Sequence, residues 1–251
     1  MPVPYVVRFV SLGSGAGKTL VASRVVKELR ARGFLVGVVK HGTGSVALEH
    51  KDTARYLESG APVVLFSTRG LAVLYSTGHR DSLEDALALV KAPIVVVEGY
   101  KESGLGDAVL VAKSRSEVEE LAKVVKNSIA VASPEPLEPP PGLPLFLFGE
   151  EERLAAFIQQ RALEHLEKQL PGSNCGMCGF PTCRELAVAY ARGSSEWCPL
   201  VSGARLIVDG AEVPLNPFVR NFVKSTIKGM LRALKGVPER PSKVVLVLEG
   251  D

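Results

Sequence analysis

The stretch Ser11–Thr19, SLGSGAGKT, decides the fold of this chain. It follows a nearly continuous apolar run, YVVRFVS over Tyr5–Ser11, whose β-branched residues predict a buried parallel strand. It precedes a helical pattern over Thr19–Arg32, where apolar residues recur on one face and Gly33 ends the helix. A glycine-rich loop between a buried strand and an amphipathic helix is the context that a phosphate-binding loop requires.

The glycine-rich loop offers groups that suit the phosphates of a nucleotide. Its backbone N–H groups can form an anion nest at the start of the helix. Lys18 would reach the β- and γ-phosphates, and the Thr19 hydroxyl would bind Mg²⁺. The full pattern has glycine at position 12, whereas this chain has Leu12 and a glycine one position later. The loop residues predicted to bind nucleotide are Gly13, Ser14, Gly15, Ala16, Gly17, Lys18 and Thr19.

Polar residues at the ends of two later strands extend the predicted site. Lys40 and His41 end the second strand, and Glu98 ends the apolar strand PIVVV. Ligands bind at the carboxyl ends of the strands in open sheets, and an acidic residue there commonly supports the magnesium ion. The alternative for all three residues is a solvated strand end.

Asp52 lies just before or at the start of a short predicted helix. It is either an N-terminal charge that stabilises this helix or a residue that faces the nucleotide. The candidate catalytic residues are therefore Lys18, Asp52 and Glu98. Lys40 and His41 join the candidate nucleotide-binding residues, and Glu98 joins Thr19 as a candidate magnesium ligand.

Strand and helix patterns alternate along the first 160 or so residues. The further predicted strands cover 34–39, 62–66, 71–75 and 93–97, and the further helices cover 52–59 and 81–90. Such alternation predicts an α/β fold, namely a P-loop NTPase with a mostly parallel sheet and helices on both faces.

A proline-dense stretch, SPEPLEPPPGLP over 133–144, has the composition of a linker. The segment after it, LFLFGEEERLAAFIQ, predicts one more strand and helix of the same sheet, so we interpret the prolines as an extended crossing within one domain. The predicted domains are then 1–163, with the phosphate loop, and 164–251, a small α+β domain. The smaller domain is expected to contain a hairpin turning at Asp209-Gly210 and a final helix capped by Asn216.

All four cysteines of the chain lie within the second domain, in the pattern C-x2-C-x4-C-x14-C. They are Cys175, Cys178, Cys183 and Cys198. Four thiolates gathered in this way indicate a metal site. A single C-x2-C pair differs from the two such pairs of a zinc ribbon, and the glycines beside the ligands let backbone N–H groups approach sulfur. An iron–sulfur cluster is therefore favoured, with structural zinc and unligated thiols as alternatives.

Composition bounds the partners and the compartment. The net charge of +3 gives no general argument for nucleic-acid binding. No apolar run reaches the length of a membrane span, and the start MPVP is not a signal peptide. Because a site of several thiolates favours a reducing compartment, we expect a cytoplasmic protein that binds neither nucleic acid nor membrane.

Several segments together resemble the molybdopterin-guanine dinucleotide biosynthesis protein B family in order and spacing. They are SGAGKT, VGVVKH, KDTARYLESGA and VVVEGYK, followed by PLFLFGEEERLAAFI, and they span about residues 4–160. The resemblance implies a GTP- and Mg²⁺-binding protein with slow hydrolysis, which assists the guanylyltransferase that joins GMP to molybdopterin. It places Ser14–Thr19 on the phosphates and makes Lys40, His41, Asp52 and Glu98 site positions. GTP rather than ATP rests on this resemblance, because the chain has no NKxD guanine-reading motif.

The cysteine segment separately resembles a small [4Fe–4S] module, PGxNCGxCGxPTCxxLA, of anaerobic redox proteins. This resemblance implies that Cys175, Cys178, Cys183 and Cys198 bind a [4Fe–4S] cluster. The chain is therefore interpreted as a fusion of a GTP-binding domain with an iron–sulfur cluster domain.

Three functions remain open at this point. The leading one is an accessory GTPase of molybdenum or tungsten cofactor biosynthesis that carries a cluster and acts with molybdopterin and its guanylyltransferase. The second is a nucleotide-gated electron carrier that reduces a redox partner through the cluster. The third is a non-catalytic adaptor that binds pterin or metal and has a structural cluster. A homodimer is compatible with each.

Overall fold

The structure is a computed structural model that describes residues 2–42, 44, 51–201, 204, 206–208, 211–213, 215, 217–237 and 244–246. The chain divides into two compact units. The larger comprises Val3–His165 with Ala191–Gly193, and the smaller comprises Met1–Pro2, Leu166–Tyr190 and Ser194–Asp251. The predicted domains, 1–163 and 164–251, stay a prediction, because contacts within one chain do not test independent folding.

The secondary structure of the described residues follows an alternating order through the larger unit. The strands are β1 (Tyr5–Val10), β2 (Val36–Lys40), β3 (Val63–Thr68), β4 (Leu71–Ser76), β5 (Ile94–Glu98), β6 (Asp107–Val111), β7 (Ser128–Ser133), β8 (Leu145–Leu147), β9 (Leu206–Val208) and β10 (Ala211–Val213). The helices are α1 (Lys18–Ala31), α2 (Lys51–Glu58), α3 (Leu83–Ala88), α4 (Arg115–Val124), α5 (Glu151–Glu167), α6 (Cys183–Ala191) and α7 (Pro217–Arg232).

Six parallel strands form the sheet of the larger unit, in the order β2-β5-β1-β6-β7-β8. The central strands β1 and β6 are almost wholly buried, and so is β5 up to its last residue. Strands buried on both faces need apolar residues at every position rather than at alternate ones. This explains runs such as IVVV in β5. The predicted α/β fold with a mostly parallel sheet is confirmed.

The order of the strands fixes where the loops lie. β1 is in the middle of the sheet, between β5 and β6, so the phosphate loop emerges beside the carboxyl end of β5. The pairing register sets Phe9 opposite Glu98 and Lys40 opposite Glu98. The strand ends that the sequence predicted to share a site are therefore direct neighbours.

Two helices of the larger unit begin with a serine cap. The Ser82 hydroxyl accepts a hydrogen bond from the Asp85 amide at 3.1 Å, and the Ser114 hydroxyl accepts one from the Glu117 amide at 3.3 Å. Each bond pairs an amide that has no partner within its own helix. The loops before α3 and α4 are thereby fixed.

β3 and β4 lie close to the predicted strands 62–66 and 71–75, for which no neighbours were predicted. Among the described residues they pair with each other, antiparallel, as a separate two-stranded sheet. Short runs of alternating apolar residues predict a strand without saying which sheet it joins. β6, α4 and β7 were not predicted, and β2 begins two residues later than expected. The proline-dense stretch does connect two strands of one sheet, β7 and β8.

The smaller unit contains α6, the antiparallel pair of β9 and β10, and α7. α6 was not predicted. It begins at Cys183, and the cysteines were interpreted as metal ligands rather than as part of a helix. The predicted turn at Asp209-Gly210 and the cap at Asn216 lie outside the described residues. Among the helices that are described, none is both long enough and apolar enough to cross a membrane.

Candidate functional site

Hydrogen bonds within the phosphate loop hold the side chain of Lys18 in place. The Lys18 ammonium donates hydrogen bonds to the Ser11 hydroxyl and, at 2.8 Å, to the Gly13 carbonyl. The Ser11 hydroxyl in turn donates to the same Gly13 carbonyl at 2.6 Å. A lysine fixed across the loop loses less conformational freedom when it binds an anion.

Gly17, at the last position before α1, has a left-handed backbone conformation with φ 91°. A Cβ atom at this position would lie 2.6 Å from the ring of Phe148, which follows β8. Only glycine satisfies both the positive φ and the close approach of the ring. Phe148 therefore packs directly on the loop at the start of α1.

Thr19 and Glu98 meet at the mouth of the loop. The Thr19 hydroxyl donates a hydrogen bond of 2.6 Å to Glu98 Oε1, and the Lys40 ammonium lies 3.7 Å from Glu98 Oε2. A hydroxyl and a carboxylate are the hard oxygen ligands that Mg²⁺ prefers. The donor set therefore fits a magnesium ion held by Thr19 and Glu98 beside the phosphates.

A second polar group lies across the cleft from the loop. The rings of His41 and Tyr100 stack with their centroids 4.4 Å apart. His41 Nε2 lies 3.0 Å from one carboxylate oxygen of Asp81, and the Tyr100 hydroxyl donates to the other at 3.4 Å. The hydrogen bond with His41 lowers the pKa of Asp81 below its usual value. Burial, followed by the charge of Asp81, raises the pKa of Tyr100.

The backbone between Glu98 and Tyr100 is shaped to bring these rings together. Gly99 has φ 102°, and a Cβ atom on it would lie 2.8 Å from the Cβ of His41. Tyr100 itself has φ 50°, a left-handed conformation that a bulky residue rarely adopts. Such conformations persist where the surrounding structure enforces them, and they concentrate at functional sites.

Arg8, in the middle of β1, enforces the conformation of the loop after Tyr100. Its side chain is fully buried, and burial lowers the pKa of its guanidinium. It donates to the carbonyls of Leu105 at 2.8 Å, Tyr100 at 3.1 Å and Lys126 at 2.7 Å. The guanidinium thus fixes both ends of the loop that lines one side of the cleft.

Replacing Arg8 with methionine is expected to lower the free energy of unfolding by about 3 kcal/mol, because it leaves buried carbonyls without a donor at about 1–3 kcal/mol each. Urea denaturation measures this difference. Arg30→Met is the control, since Arg30 is exposed and donates to a single carbonyl, that of Phe34. A variant at Arg8 as stable as the parent protein would contradict this role.

The four cysteines all lie in the smaller unit, and all are free thiols. Cys175 is exposed, Cys178 is half-buried, and Cys183 and Cys198 are buried. A turn encloses Met177 and Cys178, where the Gly179 amide donates to the Gly176 carbonyl at 2.9 Å. The Met177 backbone, by hydrogen bonding, lowers the pKa of Cys175.

The later cysteines are fixed by local contacts. The Cys183 amide donates to Asn174 Oδ1 at 2.8 Å, and Tyr190 packs edge-on against Trp197, next to Cys198. In the part of the chain that is described, no three His, Cys, Asp or Glu side chains form a ready group for a metal ion. Two thiols of a C-x2-C pair, one at the start of α6 and one in the segment after α6 are nevertheless the donor set that iron–sulfur clusters use. The fit rests on this donor chemistry.

Comparison with known families identifies the larger unit. A family model described as "Molybdopterin guanine dinucleotide synthesis protein B" matches residues 6–134, more than half of the chain. The chain belongs to this family. Within the protein B family domain lie the phosphate loop, Lys40, His41, Asp81 and Glu98.

Similar proteins match more of the chain than this family model does. A relative from Methanocaldococcus jannaschii, named "Putative molybdopterin-guanine dinucleotide biosynthesis adapter protein", is 26% identical over 236 residues, which are 88% of each chain. The solved structure of MobB from Bacillus subtilis covers 64% of this chain and 98% of its own, with a TM-score of 0.51 and 21% identity. At that identity the structural likeness supports the fold alone.

The cysteine segment matches a different family. A model described as "Putative Fe-S cluster" covers residues 170–199, which include all four cysteines. One component of the ion-translocating oxidoreductase complex of Rhodobacter capsulatus is 46% identical over 60 residues, 24% of this chain and 32% of that one. The protein B family domain of this chain is therefore followed by a segment that matches a described iron–sulfur family.

The structure brings most of the residues predicted for the protein B family site into one cleft of 1090 Å³. The predicted residues that line it are Gly13, Ser14, Gly15, Gly17, Lys18, Thr19, His41 and Glu98. Ala16 is buried beneath the loop, and Lys40 touches the cleft through Glu98. Asp52 does not join them, since its exposed carboxylate pairs with Arg55 on its own helix. Its predicted role stays a prediction.

Four further residues shape this site and were not predicted. Ser11 and Arg8 lie in the strand before the loop, where their polar side chains interrupt an apolar run. That interruption was the available signal for both. Tyr100 lies in the VVVEGYK segment that marks the protein B family, without a role assigned to it. Asp81 carries no local signal, because its partners are distant in sequence.

Proposed function

We propose that this chain is a GTP-binding accessory protein of molybdopterin guanine dinucleotide biosynthesis, which assists the guanylyltransferase that attaches GMP to molybdopterin carrying molybdenum or tungsten. The observation that carries this proposal is the convergence of Lys18, Thr19 and Glu98 at one cleft of a protein B family domain. The name of the Methanocaldococcus jannaschii relative, which aligns over most of both chains, supports the same pathway.

The residues of the cleft divide the work of holding a triphosphate. The Lys18 ammonium exchanges its bonds with Ser11 and Gly13 for bonds to the β- and γ-phosphates. Backbone amides at the start of α1 face the same phosphates. Thr19 and Glu98 would hold Mg²⁺, which neutralises charge between the β- and γ-phosphates when bound. Lys40, 3.7 Å from Glu98, pairs with that carboxylate and helps to orient it. Turnover of GTP by these groups alone is expected to be slow.

The iron–sulfur segment belongs to the same proposal. Cys175, Cys178, Cys183 and Cys198 would hold a [4Fe–4S] cluster, which would supply either structural stability or one-electron transfer. The predicted cytoplasmic location stays a prediction that follows from such a thiolate site.

A reconstituted reaction tests the proposal. The guanylyltransferase of the same organism, molybdopterin and Mg²⁺-GTP are combined with and without this chain, and we expect the chain to increase the yield of molybdopterin guanine dinucleotide severalfold. Thr19→Val removes the hydroxyl predicted to bind Mg²⁺ and is expected to abolish the increase. Ser23→Ala is the control, because Ser23 is exposed on the same helix and bonds only its own backbone turn through Leu20. Equal yields with and without the parent chain would contradict the proposal.

A nucleotide-gated electron carrier is the second candidate. The likeness of the cysteine segment to a component of an ion-translocating oxidoreductase complex favours it. This function requires that a redox partner be reduced by the cluster only in the presence of hydrolysable nucleotide. Reduction of a chemical acceptor at the same rate with and without GTP would exclude this second candidate.

A further inference from the structure

The cleft is larger than the phosphate loop requires. Its 1090 Å³ is slightly above the roughly 300–1,000 Å³ typical of small-molecule sites. It extends from the loop to the stacked rings of His41 and Tyr100 and to Asp81, all of which line it. There is consequently room for a ligand, or for a second part of one ligand, beyond the phosphates.

Asp81 is placed to receive two hydrogen bonds from such a ligand. Its side chain is 74% exposed, although it touches both His41 and Tyr100. An ionised carboxylate has about four acceptor positions on its two oxygens, and each oxygen here is engaged by one ring. One position on each oxygen remains, and the two together match a pair of adjacent N–H donors.

The rings fix the carboxylate and offer a surface of their own. The contacts with His41 and Tyr100 hold the two oxygens in one orientation, so little side-chain freedom is lost on binding. The His41 side chain is 30% exposed within the cleft wall, beside the stacked Tyr100 ring. A planar heterocycle that reaches Asp81 can therefore lie against an aromatic face.

We propose that His41, Tyr100 and Asp81 form a subsite for a 2-amino-4-oxo-pyrimidine ring, in which Asp81 accepts the ring N–H and the exocyclic amine. Guanine and pterins share this ring, so the base of the bound nucleotide and a separate pterin are its two sources. The inference rests on the proposed function for the nucleotide at the phosphate loop. In this subsite Asp81 would recognise guanine or a pterin, although the chain has no NKxD motif.

Calorimetric titration of the full chain with three probes tests the subsite. The probes are Mg²⁺-GTP, Mg²⁺-ITP, which lacks the exocyclic amine, and 6-hydroxymethylpterin added with saturating Mg²⁺-GTP. Asp81→Asn keeps the shape of the side chain but replaces an acceptor oxygen by a donor. Glu84→Gln is the control, because Glu84 also lines the cleft but lies outside the three-residue subsite.

The two sources give different results. If the ring is the guanine base, the parent protein prefers GTP over ITP, and Asp81→Asn reduces GTP affinity about tenfold and ITP affinity by less, because ITP keeps the ring N–H but lacks the exocyclic amine. If the ring is a pterin, 6-hydroxymethylpterin binds beside GTP, and Asp81→Asn lowers that affinity about tenfold without changing GTP affinity. Glu84→Gln should change neither.

Two substitutions at Tyr100 test whether its aromatic ring contributes to ligand binding. If the ring is the guanine base, Tyr100→Phe keeps the aromatic face and should retain both affinities, whereas Tyr100→Leu should lower the affinities for GTP and ITP together, because both bases lose the same stacking surface. The subsite is overturned if Asp81→Asn alters neither the preference for GTP over ITP nor pterin binding. Binding of ITP through Lys18 in the same experiment shows that the phosphate loop works, so this failure is distinct from a failure of the proposed function.

Discussion

Replacement of Lys18 by alanine is expected to lower the affinity for Mg²⁺-GTP by up to about 100-fold. The ammonium is the positive charge that the loop itself directs at the β- and γ-phosphates, and charged hydrogen bonds of this kind contribute about 1.5–3 kcal/mol. With about 1.4 kcal/mol for each factor of ten, the upper value corresponds to about 100-fold. Isothermal titration calorimetry at fixed ionic strength measures the change directly.

Lys27→Ala is the matched control for this variant. Lys27 is an exposed lysine on the same helix, α1, and it does not line the cleft, so its loss should change the affinity less than twofold. The Lys18 variant also loses the bonds to Ser11 and Gly13, so its thermal midpoint is measured in parallel. Equal GTP affinities for the Lys18 and Lys27 variants would exclude a phosphate-binding role for the loop.

Replacement of Cys183 by alanine is expected to remove the iron–sulfur cluster. Protein purified without oxygen should be brown and contain about four iron and four sulfide ions per chain, as a [4Fe–4S] cluster requires. Cys183 is buried at the start of α6, so the alanine occupies its space while the thiolate ligand is lost. We expect the visible absorbance to fall to a small fraction of that of the parent protein.

Met177→Leu controls for changes in the cysteine loop. Met177 lies between Cys175 and Cys178 and is 65% exposed, so leucine should leave the iron content unchanged. If the parent protein contained one zinc ion per chain and neither iron nor sulfide, the site would be a structural zinc site rather than a cluster site. Full iron content in the Cys183 variant would remove that thiol from the ligand set.

Local sequence carried the prediction of the phosphate loop and of the fold class. Gly15 and Gly17 adopt positive φ angles, which glycine allows because it has no side chain. The continuous apolar run before the loop predicted a buried strand, as observed for β1. The proximity of Glu98 and Lys40 could also be predicted from the sequence, because the carboxyl ends of parallel strands lie at one edge of the sheet. The pairing of β2 and β5 places the two residues directly opposite each other.

Contacts between residues that are distant in sequence could not be predicted in this way. Asp81 is 40 positions from His41 and 19 from Tyr100, and nothing in the local pattern around Asp81 marks it as a partner of either. For a related reason, the sequence predicted the two strands of the β3–β4 hairpin but not the sheet that they form. Alternating apolar residues such as those of Val63–Thr68 specify a strand, whereas its neighbour depends on the topology of the whole unit.

The buried guanidinium of Arg8 has a consequence for how the protein folds. Its hydrogen bonds join residues 92 to 118 positions apart, and so they form only when β1, the loop after β5 and the turn before β7 have assembled. Contacts of such sequence separation form late and cooperatively. The rim of the cleft should therefore open to hydrogen exchange only when the whole sheet unfolds, and competence to bind ligand arises together with the native state.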